Sequence, residues 1–163
     1  EECTKCYELM MENVATPSAI ILSRQNINDL PTDNRDAAKG AYIVTCDGNP
    51  DVILVASGSE VSTLSEAAAI LRAEGKRIRV VSVPSEGLFR SQSAEYQEQI
   101  LPRGIKKFGL TAGLPVNLEG LVGADGIVYG LESFGFSAPY KVLDEKLGFT
   151  PVQVAERIRK FLA

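Results

Sequence analysis

Apolar residues recur along this chain in two rhythms, one of about 3.6 residues and one of short unbroken runs. Cys3, Tyr7, Met10 and Val14 follow the first, which predicts an amphipathic helix over residues 2 to 14, stopped by Thr16-Pro17. Ala19-Ile20-Ile21-Leu22 follows the second and predicts a buried strand. Arg24 then opens a polar stretch, rich in Asn, Asp, Pro and Thr, that runs to about Lys39 without a period. Such a stretch predicts a linker or domain boundary.

From Gly40 onward the two rhythms alternate. Tyr42 to Thr45 predicts a short strand, Asp47-Gly48-Asn49-Pro50 a turn, and Asp51 to Ala56 a strand covered on both faces. Ser57-Gly58-Ser59-Glu60 has the S-x-x-E form of a capping box. The helix it would open buries Leu64, Ala67, Ala68 and Leu71 and closes at Gly75, before a strand from Ile78 to Val83. This is a strand–helix–strand unit with parallel strands. Further on, residues 93 to 100 predict a short helix, Ile105 to Leu110 a strand, Leu114 to Leu121 a helix and Ile127 to Tyr129 a strand. Ser137 or a neighbour would cap a helix through Val142, Leu143 and Leu147. Thr150-Pro151-Val152-Gln153 predicts a last helix with Thr as cap, Gln returning the capping bond, and Val152, Ala155, Ile158 and Leu162 on the buried side. The expected fold class is a three-layer α/β domain.

Composition narrows the function more than the fold. A net charge of −4 with no basic stripe speaks against a nucleic-acid surface, and no apolar run approaches the length of a bilayer crossing. There is no histidine, so the commonest acid–base group near neutral pH and the commonest metal ligand are both missing. That weighs against a self-contained active site. Three cysteines do not form a disulfide framework, and a reducing, cytoplasmic setting is the default expectation. The opening Glu1-Glu2-Cys3-Thr4-Lys5 has no initiator Met and no signal pattern, and is read as a point inside a longer protein.

Most candidate motifs have a plain structural reading. Cys3-x-x-Cys6 offers two ligands where a structural zinc site needs four. Asp47, Asp51 and Asp125 belong to turns and lack a cation-loop spacing. Ser57, Gly58 and Ser59 sit where a strand meets a helix, a place that can bind a phosphate or another anion; the capping box is the first reading and the anion site the second. Ser23-Arg24-Gln25-Asn26 differs, because a strand would deliver an Arg fork and two amides into a polar loop. That fork suits a phosphate or carboxylate, and spacing alone leaves this reading even with a surface ion pair.

Those same residues carry a resemblance. Thr16-Pro17-Ser18-Ala19 and Leu22-Ser23-Arg24-Gln25-Asn26 resemble the end of the pyrimidine-binding domain of transketolases. Pro50 to Val61, Arg79 to Ser85, Phe134-Gly135-Phe136-Ser137-Ala138-Pro139 and Gly148-Phe149-Thr150 resemble, in order, segments of that family's C-terminal domain. Leu110-Thr111-Ala112-Gly113 and Glu132-Ser133-Phe134-Gly135 depart from the usual Val-Glu-Ala-Gly and Asp-Arg-Phe-Gly.

The resemblance implies residues 1–38 as the tail of the pyrimidine-binding domain with its linker. It implies 39–163 as the C-terminal domain, a mixed, mostly parallel sheet between two helical layers. Transketolases move a two-carbon ketol unit between sugar phosphates, using thiamine diphosphate and a divalent cation, Mg or Ca. The resemblance implies neither cofactor nor catalytic residue in this segment, and assigns substrate-phosphate binding to Arg24. Its implied partners are sugar phosphates, the other domains of a longer chain and a second copy in a homodimer, without nucleic acid or membrane. The alternative is an assembly or anion-binding regulatory domain of another thiamine-diphosphate enzyme: dihydroxyacetone synthase, deoxyxylulose phosphate synthase, or the β chain of the first 2-oxoacid dehydrogenase component. Residues 1 to 26 are expected to dock on this domain or on a second copy, because their apolar face would otherwise be open.

Overall fold

A computed structural model describes residues 2–27, 29–30 and 34–163. Its centre is β2 (Val52–Ala56), five consecutive apolar residues with no exposed member. Successive side chains of a strand point to opposite faces, so such a run needs cover on both sides. Val52, Leu54 and Ala56 meet α2 (Ser59–Ala73) and α7 (Pro151–Leu162), while Ile53 and Val55 meet the layer of α3 (Glu86–Arg90), α4 (Ala94–Ile100) and α5 (Val116–Val122).

The remaining strands are β1 (Tyr42–Cys46), β3 (Ile78–Ser82), β4 (Lys107–Leu110) and β5 (Ile127–Tyr129), in the order β1-β3-β2-β4-β5. Only β1 is antiparallel, pairing Tyr42 with Ser82; β2 runs parallel to both β3 and β4, and β4 parallel to β5. The sheet is therefore mixed and mostly parallel between two helical layers, as expected. Gly109 lets α5 close on β4, since a methyl there would stand 3.1 Å from Val128 and 3.2 Å from Val122.

Ion pairs tie the periphery. The Arg72 guanidinium donates to Asp47 at 2.7 Å, to the Thr45 hydroxyl at 3.1 Å and to the Ile78 carbonyl at 3.1 Å, locking the end of α2 to the β1–β2 turn. Arg159 grips Glu74 through two bonds of 2.8 and 2.5 Å, joining α7 to α2. Asp47 and Asp51 are thus held by Arg72 and Arg77, which keep both carboxyls below the usual carboxylate range.

Several sequence expectations need correction. Ala19–Leu22 forms no strand: it pairs with none of the described strands, and Ile21 is 96% exposed. A strand needs a neighbour for its backbone groups, and none of the described residues offers one there. The 57–60 capping box is also absent. Gly58, at φ 62°, is the cap residue, and the Val61 amide donates to its carbonyl, so Ser57 falls outside the helix. Ser137 caps nothing, because α6 (Tyr140–Leu147) begins after Pro139 without a side-chain cap. In α7 Thr150 does cap the Gln153 amide, and the Gln153 side chain returns to it, its Oε1 accepting from the Thr150 hydroxyl at 2.6 Å while its Nε2 donates to the Glu145 carbonyl. Val154 takes the buried place expected of Val152, which is exposed. The helix α3, capped by Ser85, falls where no element is expected from the sequence.

The amino-terminal helix α1 (Glu2–Glu12) ends where Asn13 bonds to Thr16 and Ser18. Cys3, expected on the apolar side, is exposed, and Cys6 is half-buried. The predicted polar stretch ends in a 3-10 helix (Asn34–Lys39) that buries Ala37; Asn28 and residues 31–33 lie outside the described residues.

Gly40 is the tightest point between layers. It sits at φ 84°, and an added Cβ would overlap the Ser85 carbonyl oxygen and the Phe89 amide nitrogen, both backbone. Gly75 has a similar φ of 82° with nothing within 4 Å. Gly75→Ala is therefore expected to cost about 1 kcal/mol from conformation alone. Gly40→Ala should cost at least about 3 kcal/mol, because backbone must also move. Urea unfolding of the two variants checks the order; equal costs would contradict the close approach.

Candidate functional site

Parallel α/β sheets tend to bind ligands beyond the carboxyl ends of their strands, where neighbouring connections leave for opposite faces. That point lies here between β2, followed by α2 on one face, and β4, followed by α5 on the other. Backbone fills it. The Leu131 amide donates to the Gly113 carbonyl at 2.9 Å, and a Cβ on Gly130 would stand 2.7 Å from that oxygen.

The open space lies beside it, in a cleft of about 330 Å³ at the start of α2. Gln25, Asn26 and Ile27 form one wall, Ser59, Glu60, Thr63 and Glu66 the second, and Tyr140, Lys141 and Asp144 with Phe149-Thr150-Pro151 the third. The positive φ of Gly58 turns the chain so that Ser59 and Glu60 enter the cleft. The Ser59 hydroxyl donates to Glu60 at 3.0 Å. Burial, and secondarily the Asp144 carboxylate, push the Glu60 carboxyl above its ordinary value; burial alone does the same for Asp144.

The sequence-stated sites distribute unevenly around this cleft. Arg24 is exposed and stands next to the lining residues Gln25 and Asn26 without lining the cleft itself. Of Ser57, Gly58 and Ser59, only Ser59 is part of the lining, while Ser57 and Gly58 face solvent. Glu60, Glu66 and Asp144 outnumber Lys141 there, so an anion would meet net negative charge. Sequence reasoning missed the Glu60–Asp144 approach. Glu60 was absorbed into a capping box, and no spacing signal links it to a residue 84 positions away.

Among the described residues no three His, Cys, Asp or Glu side chains converge on a metal position, and the three thiols are free. A cleft in which Glu60, Glu66 and Asp144 outnumber Lys141 would repel a diphosphate.

A family model for the transketolase-like TK C-terminal domain matches residues 40–150. The chain belongs to the transketolase family. Transketolase 2 of Aliivibrio fischeri is 40% identical over 167 aligned residues, covering 99% of this chain and 25% of the relative. The Pichia stipitis transketolase, crystallised in complex with sedoheptulose-7-phosphate, superposes with a TM-score of 0.92 at 31% identity, covering 99% of this chain and 24% of that one. The Leishmania mexicana transketolase gives 0.91 at 32%, covering 99% and 24%. The chain thus spans about a quarter of the length of the transketolases it matches.

The charge geometry of this cleft bears on stability. A carboxyl raised above its ordinary 4.5 in the folded state binds its proton more tightly there than in the unfolded chain. Its contribution is full below that ordinary value and is lost as pH rises through the folded one. Glu60→Gln should therefore raise the melting temperature at pH 7, with the gain shrinking towards pH 4. Melting curves at both pH values check this, and a gain that grows on acidification would contradict it.

Proposed function

We propose that the chain is the C-terminal part of a transketolase, an enzyme moving a two-carbon ketol unit between sugar phosphates, and that Arg24 binds the substrate phosphate. The observation that carries the reading is the Ser23-Arg24-Gln25-Asn26 run within a chain aligned to transketolases over 99% of its length. Arg24 is exposed, with its neighbours Gln25 and Asn26 set into the cleft beside α2, so the guanidinium is presented outward from a supported backbone. Its five donors in a rigid plane suit a phosphate better than an ammonium would. The Pichia relative was crystallised with a sugar phosphate, in keeping with that ligand class.

The same proposal assigns the chemistry elsewhere. Thiamine diphosphate and its divalent cation belong to the rest of a longer, cytoplasmic, homodimeric parent. Residues 1–38 close the preceding domain, and 39–163 form the C-terminal domain. Met11, Val14, Ile21 and Leu22, all exposed, supply apolar surface for the other domains of that parent. The three carboxylates of the adjoining cleft disfavour anion binding at Ser57, Gly58 and Ser59.

Arg24→Ala in the parent enzyme tests the assignment. With a phosphorylated ketose donor, kcat/KM should fall roughly ten- to a hundredfold, the worth of one charge-assisted contact. With hydroxypyruvate, which has no phosphate, donor kinetics should hardly change. Equal losses on both donors would make Arg24 a structural residue.

A further inference from the structure

Ser82 is an unusual residue for its place. It lies in β3 among Val80, Val81 and Val83, is 1% exposed, and would bury a hydroxyl without a strand partner for it. Tyr42, its register partner across β1 and β3, is 5% exposed and also carries a hydroxyl. Both groups point to one acceptor. The Ser82 Oγ donates to Glu2 Oε2 at 2.6 Å and the Tyr42 Oη donates to the same oxygen at 2.9 Å. The shorter distance is that of a hydrogen bond to an ionised carboxylate. Burial first, then the Glu2 charge, raise the Tyr42 phenol above its ordinary value, as a donor held against a carboxylate should be.

Among the described residues, Glu2 makes the only side-chain hydrogen bonds from α1 to the sheet. No residue of α1 is buried; it packs on the 3-10 helix, and its side chains join neither core cluster. Glu2 lies 40 and 80 residues from the hydroxyls it binds, so helix propensity cannot produce the contact.

We propose that Tyr42 and Ser82 form a carboxylate-binding site in the sheet, and that Glu2 fills it as a latch. The latch fixes the amino-terminal segment to the β1–β3 edge, so that the helix preceding Arg24 and the sheet following it behave as one body. The site is built to take a carboxylate from this same chain. Its two donors leave an orphaned buried hydroxyl when Glu2 is withdrawn, which makes detachment costly.

Hydrogen exchange on the 163-residue chain tests the latch. Glu2→Ala should speed exchange of the α1 amides about tenfold or more while leaving β2 and β4 unchanged. Tyr42→Phe combined with Ser82→Ala should release α1 to the same degree. Adding Glu2→Ala to that double variant should then produce no further release. The pairing also has a signature that simple packing would not move: in Glu2→Ala the Tyr42 ring, followed by NMR, should ionise at lower pH. Unchanged α1 exchange in Glu2→Ala would overturn the proposal. So would additive effects of the two sets of substitutions.

Discussion

Everything else in this molecule follows from a central strand that cannot face water on either side. Five consecutive apolar residues in β2 require a helical layer on each face, and parallel neighbours require crossovers long enough to supply those layers. The consequence for function is negative inside the sheet. Its one buried cation, Lys107, reaches out to the Pro102 and Ile105 carbonyls, and burial lowers its pKa. Groups with useful chemistry are displaced to strand ends and edges, where Arg24, the acidic cleft and the Glu2 contact all lie.

Those three features share one border, between the amino-terminal segment and the start of the sheet. Besides Leu30 and Ala37, which pack on the core, the described residues of the segment touch the domain through Glu2 on the β1–β3 edge and through Gln25, Asn26 and Ile27 in the cleft. Between them the chain runs exposed, with Ile21 and Leu22 in solvent. The family-model match begins at Gly40, so this exposed apolar stretch lies outside the matched domain.

The regular part of the fold was legible because local and global signals agree there. Val52–Ala56 reads as buried from its own composition, and Leu64, Ala67, Ala68 and Leu71 read as one helical face. The failures are equally physical. Ala19–Leu22 has strand composition but no pairing partner, and pairing is not a property of the segment itself. Ser57 to Glu60 match a capping pattern, yet a glycine at positive φ moved the helix start by a residue and turned Glu60 into a cleft. Glu60 with Asp144, and Glu2 with Tyr42 and Ser82, are contacts between distant residues that no spacing announces. Arg24 was singled out by chemistry and resemblance, not by periodicity.

On the proposed function, this chain supports ketol transfer in a longer transketolase without holding the reaction centre. The most direct measurement compares ketol transfer from hydroxypyruvate to a phosphorylated aldose by the longer parent and by the isolated 163-residue chain, each supplied with thiamine diphosphate and a divalent cation. Turnover is expected from the parent and none from the isolated chain. Turnover by the isolated chain, or a parent inactive in ketol transfer, would contradict it.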